Sequence, residues 1–186
     1  MIKAGSVNKG SYLNWQGQPA VVVDKEFYNP GKGSAVVRFK IKNIKNGNVV
    51  KEVIKTDELI EEIVVDQRQA QFAYHSGDQL VFINPHTYEQ YEVASSLLGD
   101  DSAYVKEGDN FQLAVLEDEV IGVQLPKKVV LKVVETESAV KGNTVTGATK
   151  PAKMETGLTV KVPLFINKGD EIIVNTETGQ YVSRSN

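Results

Sequence analysis

Lys32 is the residue whose neighbours in the sequence most clearly suggest a chemical role. Pro30 fixes a backbone torsion before it, Gly31 and Gly33 remove side-chain bulk on both sides, and Ser34 follows. Apolar runs precede and follow this stretch, so the pattern predicts a β-hairpin whose tip presents the lysine. Such a lysine suits contact with a crowded anionic partner, or covalent modification. The simpler alternative is a surface turn that carries a lysine, because turns are rich in these residue types.

Other residues that could do chemistry lack the company that catalysis or metal binding needs. His75 and His86 have no carboxylate or cysteine at ligand spacing, and the chain contains no cysteine. The acids at 117–119 are adjacent on a predicted turn, so they point in different directions and suit a solvated hairpin tip. An exposed tip offers Lys32 no desolvation that would favour Schiff-base chemistry. No nucleotide-binding or hydrolase motif occurs, so we expect no enzyme, no catalytic residue, no metal and no cofactor.

The strands that must hold the predicted tip show a period of two. Three apolar residues alternate with three cations between positions 37 and 42, which places the apolar groups on a core face and the cations on the opposite face. The core-face residues are Val37, Phe39 and Ile41, and the cations are Arg38, Lys40 and Lys42. A plain solvated strand face would show the same alternation. Asn46-Gly47 then predicts a two-residue hairpin turn, because both residues tolerate a positive φ.

Charge divides the chain into three segments. Residues 1–65 carry ten Lys and Arg against seven Asp and Glu, residues 66–126 carry two against eleven, and residues 127–186 carry nine against six. The net charge of −3 therefore hides two basic ends and an acidic middle. This order suggests polyanion contact at both ends and a different partner in the middle. No apolar run is long enough to span a membrane, and the first residues lack the apolar core of a signal peptide.

The fold class expected from these patterns is all-β, with small barrels. Short β-branched clusters recur, and Gly, Asn or Asp interrupts them about every ten residues. We place domains at 1–65, at 66–127 and at 128–186. The middle segment has five strand candidates and one short helical insert near 95–103, as in an OB-fold. Residues 141–152 are polar and contain no acid, which predicts a flexible basic loop.

The sequence resembles the bacterial elongation factor P family along its whole length. The N-terminal likeness rests on the tip at 30–33, the basic strand at 38–42 and Asn46-Gly47. The C-terminal likeness rests on Lys150-Pro151-Ala152, on Gly157, on the run at 161–165 and on the ending at 178–184. The resemblance implies an SH3-like (KOW-type) barrel followed by two OB-folds, arranged as an L that mimics a tRNA. It also implies a cytoplasmic, monomeric factor that binds both ribosomal subunits between the P and E sites.

The resemblance further implies a role for particular residues. Lys32 would reach the end of the P-site tRNA in the peptidyl transferase centre, stimulate peptide-bond formation and relieve stalling at consecutive prolines. A lysine-modifying enzyme would extend it in many members. The tRNA and rRNA contacts would come from two sets of residues, one on the basic strand (Arg38, Lys40, Lys42) and one in the third domain (Asn143, Thr144, Lys150, Tyr181, Arg184). Many members carry Gly-Asp-Thr where this chain has Gly142-Asn143-Thr144, which keeps a hydrogen-bonding side chain but lacks its charge. The alternative is a general RNA-binding or ribosome-assembly protein whose tip has no special role.

Overall fold

The computed structural model describes residues 1–138 and 147–185, and its elements are almost all β-strands. The first part of the chain forms a four-stranded antiparallel sheet in the order β2-β3-β4-β5, together with the short pair β1-β6. These strands are β1 Ile2–Lys3, β2 Tyr12–Trp15, β3 Gln18–Tyr28, β4 Val36–Asn43, β5 Val49–Lys55 and β6 Leu59–Ile60, with a 3₁₀ turn at Ala4–Ser6.

The core of this first sheet confirms the predicted alternation along β4. Val37, Phe39 and Ile41 are buried, and they pack with Leu13 of β2 and Val22 of β3. The register of β3 against β4 shifts after Val22, and such a bulge bends the long strand. The sheet thus closes over its own apolar face and leaves the opposite face of β4 to the charged residues.

The middle part forms a five-stranded sheet in the order β11-β10-β7-β8-β9. Three aromatic rings pack against one another in its core. The ring centroids of Phe72 and Phe82 are 5.5 Å apart, and those of Phe82 and Phe111 are 5.8 Å apart. A short helical segment lies where the sequence predicted an insert. The elements are β7 Asp66–Ser76, β8 Gln79–Ile83, β9 Gln90–Ala94, α1 Ser95–Leu98, a 3₁₀ helix Gly99–Tyr104, β10 Asn110–Leu116 and β11 Glu119–Gln124.

The acidic stretch at 117–119 lies at a hairpin tip, as predicted. Strand β10 ends at Leu116 and β11 begins at Glu119, so Glu117 and Asp118 alone form the turn. Both have a positive φ, of 49° and 64°, which is the twist that a two-residue hairpin turn requires.

The last part forms a five-stranded sheet in the order β14-β13-β12-β15-β16. Its core includes the side chains of Leu131, Met154, Val162 and Ile172. The strands are β12 Lys128–Thr136, β13 Thr149–Met154, β14 Thr159–Pro163, β15 Glu171–Asn175 and β16 Tyr181–Ser185.

Two local predictions were wrong. A loop was predicted at 141–152; residues 141–146 lie outside the described residues, and the prediction is wrong for its end, because Thr149–Met154 is strand β13 and alternates between exposed and buried positions. The turn at Asn46-Gly47 is not a two-residue turn, because β4 ends at Asn43 and β5 begins only at Val49. There the side chain of Asn43 accepts two backbone hydrogen bonds and stabilises a longer turn.

The described residues fall into two compact units. One comprises Met1–Gln67 and Ala114–Ile121, and the other comprises Arg68–Leu113 with Gly122 onward. The predicted domain boundaries after residues 65 and 127 stay a prediction. None of the helices in the described ranges has the length and apolar character that a membrane crossing requires.

Candidate nucleic-acid interface

Lys32 lies at the tip of the β3–β4 hairpin. The last cross-strand pair is Tyr28 with Val36, so residues 29–35 form the loop between the strands. Residues 29–34 are all exposed. No side chain of the described ranges forms a salt bridge with Lys32. The hairpin thus presents one ammonium group to solvent on a four-carbon stem.

The two glycines beside Lys32 are needed for backbone conformation. Gly31 has φ +75° and Gly33 has φ +100°, a region that side chains with a Cβ rarely adopt. A Cβ at either position would meet no atom within 4 Å, so crowding inside the protein is not the reason. Because neither glycine has a side chain, a large partner can approach the lysine closely from either side.

The outer face of β4 carries the predicted cations below the tip. Arg38 and Lys40 are exposed and Lys42 is half-buried, while their neighbours along the strand lie in the core. The neighbouring strand β5 adds Lys51, opposite Lys40, and Lys55, opposite Val36. The structure therefore extends the basic face beyond the three residues that the sequence indicated.

Acidic residues on β3 offset this face only in part. Asp24 lies opposite Lys40 and Glu26 lies opposite Arg38. A guanidinium nitrogen of Arg38 is 3.9 Å from a carboxylate oxygen of Glu26, and both side chains are more than half exposed. Exposed pairs of this kind contribute little stability and are readily exchanged for another anion. Arg38 also lies over the ring of Tyr28, with its Cζ 4.9 Å from the ring centroid.

Two aromatic residues at the base of the tip were missed in the sequence. Phe27 is 60% exposed and Tyr28 is 45% exposed. Consecutive strand residues point to opposite faces, so the hairpin bears an open ring on each face. The sequence does contain a signal for them: two adjacent aromatic residues at the end of a predicted strand, followed by a loop too polar to cover either ring.

Of the site residues predicted in the third domain, the structure describes three. Lys150 is buried, with 5% exposed, and its ammonium donates a hydrogen bond to the carbonyl of Glu137. Tyr181 is half-buried and packs on the core of β12–β16, while Arg184 is exposed on β16. Asn143 and Thr144 lie outside the described residues.

The histidines show no sign of a metal site in the part of the chain that the structure describes. His75 packs edge-on against Phe72, with ring centroids 5.1 Å apart. His86 lies in a turn where its backbone N–H donates to the side chain of Asn84. Within residues 1–138 and 147–185 there is no group of three His, Asp or Glu side chains that could hold a metal ion.

Comparison with known proteins gives consistent matches along the chain. Three family models match in order: the elongation factor P KOW-like domain over residues 3–60, the OB domain over 65–123 and the C-terminal domain over 129–184. The chain is 44% identical to an elongation factor P of Treponema denticola and 41% identical to one of Treponema pallidum. Both alignments run over 186 residues and cover 100% of each protein. A solved structure, eukaryotic translation initiation factor 5A from Methanococcus jannaschii, aligns at 24% identity with a TM-score of 0.45, over 66% of this chain and 89% of that one.

The three family models and the two full-length relatives confirm the resemblance and the fold class of KOW-like and OB-type β-domains. The chain therefore belongs to the elongation factor P family, a family of translation factors.

Proposed function

We propose that this protein binds the ribosome between the P and E sites and inserts Lys32 beside the 3′ end of the P-site tRNA. There it stimulates peptide-bond formation and relieves stalling at consecutive prolines. The observation that supports this most is the exposed lysine on a glycine-flanked tip, with its ammonium unpaired within the described residues. The protein is not an enzyme in this proposal. It holds the tRNA end in place and lowers the entropic and electrostatic barrier of a reaction that the ribosome catalyses.

The placement of Lys32 can be tested directly by electron cryomicroscopy. Ribosomes stalled on a Pro-Pro-Pro sequence would be imaged with the factor bound. The proposal expects the Lys32 side chain within a few ångströms of the terminal nucleotides of the peptidyl-tRNA. Density that places the hairpin tip away from the tRNA end would overturn it.

The basic face of β4 serves this proposal by meeting the phosphates of the acceptor arm. Arg38 and Lys40 project from a strand whose other face is core, so their positions are fixed by packing. The weak pair of Arg38 with Glu26 can give way to a phosphate, which binds a guanidinium in a bidentate manner. Arg184 on β16 is an exposed candidate for a second contact. We do not propose a phosphate contact for Lys150, because this residue is buried.

Neutralising the basic face should weaken binding in a salt-dependent way. For Arg38→Gln, Lys40→Gln and Lys42→Gln together, we expect the slope of log K against log salt concentration to fall by up to about 3 units, since each lost phosphate contact removes about 0.9. Ribosome or tRNA binding measured between 50 and 200 mM salt, as an approximate working range, checks this. A matched control is Glu26→Gln, which should leave the slope unchanged or raise it. An unchanged slope in the triple variant would contradict the proposed phosphate contacts.

Lys32 is also the proposed site of covalent extension by a lysine-modifying enzyme. The tip is exposed and both glycines leave room for an enzyme to reach the ammonium. Intact mass spectrometry of protein from its native host is the test. An added mass localised to Lys32 supports the proposal, and an unmodified chain would place this protein among the members that act without extension.

A general RNA-binding or ribosome-assembly role is the second candidate, favoured by the exposed Tyr28 and Phe27 beside the basic face. Rings among cations are typical of single-stranded RNA binding. In that case neutralising Arg38 and Lys40 would weaken RNA binding and changing Lys32 would not.

We also propose that the protein is a cytoplasmic monomer whose partners are the P-site tRNA and both ribosomal subunits.

A further inference from the structure

The same hairpin turn occurs three times within the residues that the structure describes. It spans six residues, begins with an asparagine, and joins β4 to β5, β8 to β9 and β15 to β16. In each copy the asparagine side chain accepts hydrogen bonds from the backbone N–H groups two and three residues later, at 2.8–3.2 Å. The backbone N–H of the fifth residue donates to the backbone carbonyl of the asparagine. The backbone N–H of the asparagine donates to the backbone carbonyl of the sixth residue, and all these bonds are 2.8–2.9 Å long. The copies span residues 43–48, 84–89 and 175–180.

The fifth residue of this turn must adopt a positive φ. Gly47 has φ +74° and Gly179 has φ +70° in the first and third copies. The second copy holds Tyr88 at φ +60°. An L-residue with a bulky side chain is strained there, whereas glycine is not. The chain therefore tolerates a cost at one turn that it avoids at the two equivalent turns.

No contact of the Tyr88 side chain among the described residues offsets this cost. Tyr88 is 77% exposed, which is more than any Phe, Trp or other Tyr among the described residues. Its hydroxyl makes no hydrogen bond within the ranges 1–138 and 147–185. The backbone bonds of the turn are the same as in the glycine copies. A strained and exposed ring that does not support its own domain is a candidate contact residue.

The charge around Tyr88 indicates the kind of partner. Residues 69–105 contain five Asp and Glu and no Lys or Arg. Glu92 is exposed on β9 of the same hairpin, and Glu89 in the turn is only partly offset by Arg68, 3.8 Å away. This surface repels nucleic-acid phosphates and attracts cations. Tyrosine is one of the residue types enriched among the anchors of protein interfaces, because its ring buries a large area at little entropic cost.

From this we propose that the turn at 84–89 docks on a basic protein surface of the ribosome, with the Tyr88 ring as its anchor. This inference rests on the proposed ribosome binding described above. It assigns the acidic middle of the chain a protein partner, separate from the RNA contacts of the Lys32 hairpin. In the bound state the favourable burial of the ring offsets the backbone strain of the free protein.

The variant Tyr88→Gly separates binding from folding. We expect its melting temperature to rise by about 2–5 °C, because the strain is relieved. Its affinity for purified 70S ribosomes should fall roughly 10-fold, as for loss of an interface anchor. The matched control is Gly47→Tyr, which places the ring in the equivalent turn and should lower the melting temperature. Unchanged affinity for Tyr88→Gly, or weaker binding accompanied by a lower melting temperature, would overturn the inference.

A photo-crosslinker at position 88 identifies the class of partner. The full chain with p-benzoylphenylalanine in place of Tyr88 would be bound to the same ribosomes and irradiated. A crosslink to a basic ribosomal protein supports the inference, and a crosslink to rRNA alone or to nothing overturns it. If the wild-type chain does not bind ribosomes at all, the proposed function fails instead. If it binds and rescues stalled ribosomes without a protein crosslink, only this inference fails.

Discussion

Lys32→Ala is expected to abolish rescue of a Pro-Pro-Pro reporter in a reconstituted translation system. The ammonium is the only charged group within the exposed loop at 29–35, and no neighbour within the described residues can replace it. The fold should not change, because residues 29–34 are exposed and the hairpin is held by the pairing of β3 with β4. Surface substitutions of this kind usually change stability by less than about 0.5 kcal/mol. Ribosome binding should fall little, since the basic face remains intact.

Two controls make the result specific to position 32. Lys45→Ala removes another exposed lysine from a turn of the same domain and should leave rescue unchanged. Lys32→Arg retains the charge but changes the shape of the cation, so partial rescue is expected. Full rescue by Lys32→Ala at wild-type concentration would contradict the proposed role of Lys32 and favour the general RNA-binding alternative.

The Lys32 hairpin could be predicted from sequence because each of its signals is local. Alternation from Val37 to Lys42 sets the two faces, and Pro30 with its flanking glycines sets the tip. The structure confirms the hairpin and the faces. The exposure of Tyr28 was missed, although its position beside Phe27 and before a polar loop was a local signal for it.

Strand β13 shows why other features were missed. Its alternation of buried residues begins with Lys150, which was counted as polar and therefore assigned to a loop. The ammonium is buried because the carbonyl of Glu137, thirteen residues earlier, accepts its hydrogen bond. A partner of this kind is set by the pairing of β12 with β13, which no local pattern reveals. The L-shaped arrangement implied by the family likewise stays a prediction.

Tyr104 is a second feature that the sequence did not indicate. It ends the 3₁₀ helix of the middle part but is 8% exposed within the core of β12–β16. Its hydroxyl lies 3.0 Å from the place where a Cβ on Gly179 would be, so a side chain there would crowd the hydroxyl as well as strain the backbone. The adjacent carbonyl of Ala103 accepts a hydrogen bond of 2.6 Å from Thr156, and the Lys106 ammonium donates to Val130 at 3.1 Å.

Titration of Tyr104 should be visible in alkaline solution. Burial, with Asp101 and Asp100 nearby, raises the pKa of the Tyr104 hydroxyl above its usual value of 10.0. The folded state therefore holds this proton more strongly than the unfolded state does. The stability contribution is full below about pH 10 and is lost as the pH rises toward the folded pKa. Tyr104→Phe should weaken this alkaline loss in urea titrations, and an unchanged pH profile would contradict the assignment.

Tyr104→Ala should have the largest effect on stability of any substitution argued here. Removing a buried aromatic ring costs about 3–5 kcal/mol, because the lost apolar burial is joined by a cavity that the β-sheet cannot close. Since the ring belongs to the core of β12–β16, amides of Leu131 and Ile172 should lose hydrogen-exchange protection together with the loss of stability in urea. The same change at exposed Tyr88, Tyr88→Ala, should alter stability by less than about 0.5 kcal/mol. If both variants lost the same small amount, the ring of Tyr104 would be only a surface contact and the middle part would contribute nothing to the stability of the last one.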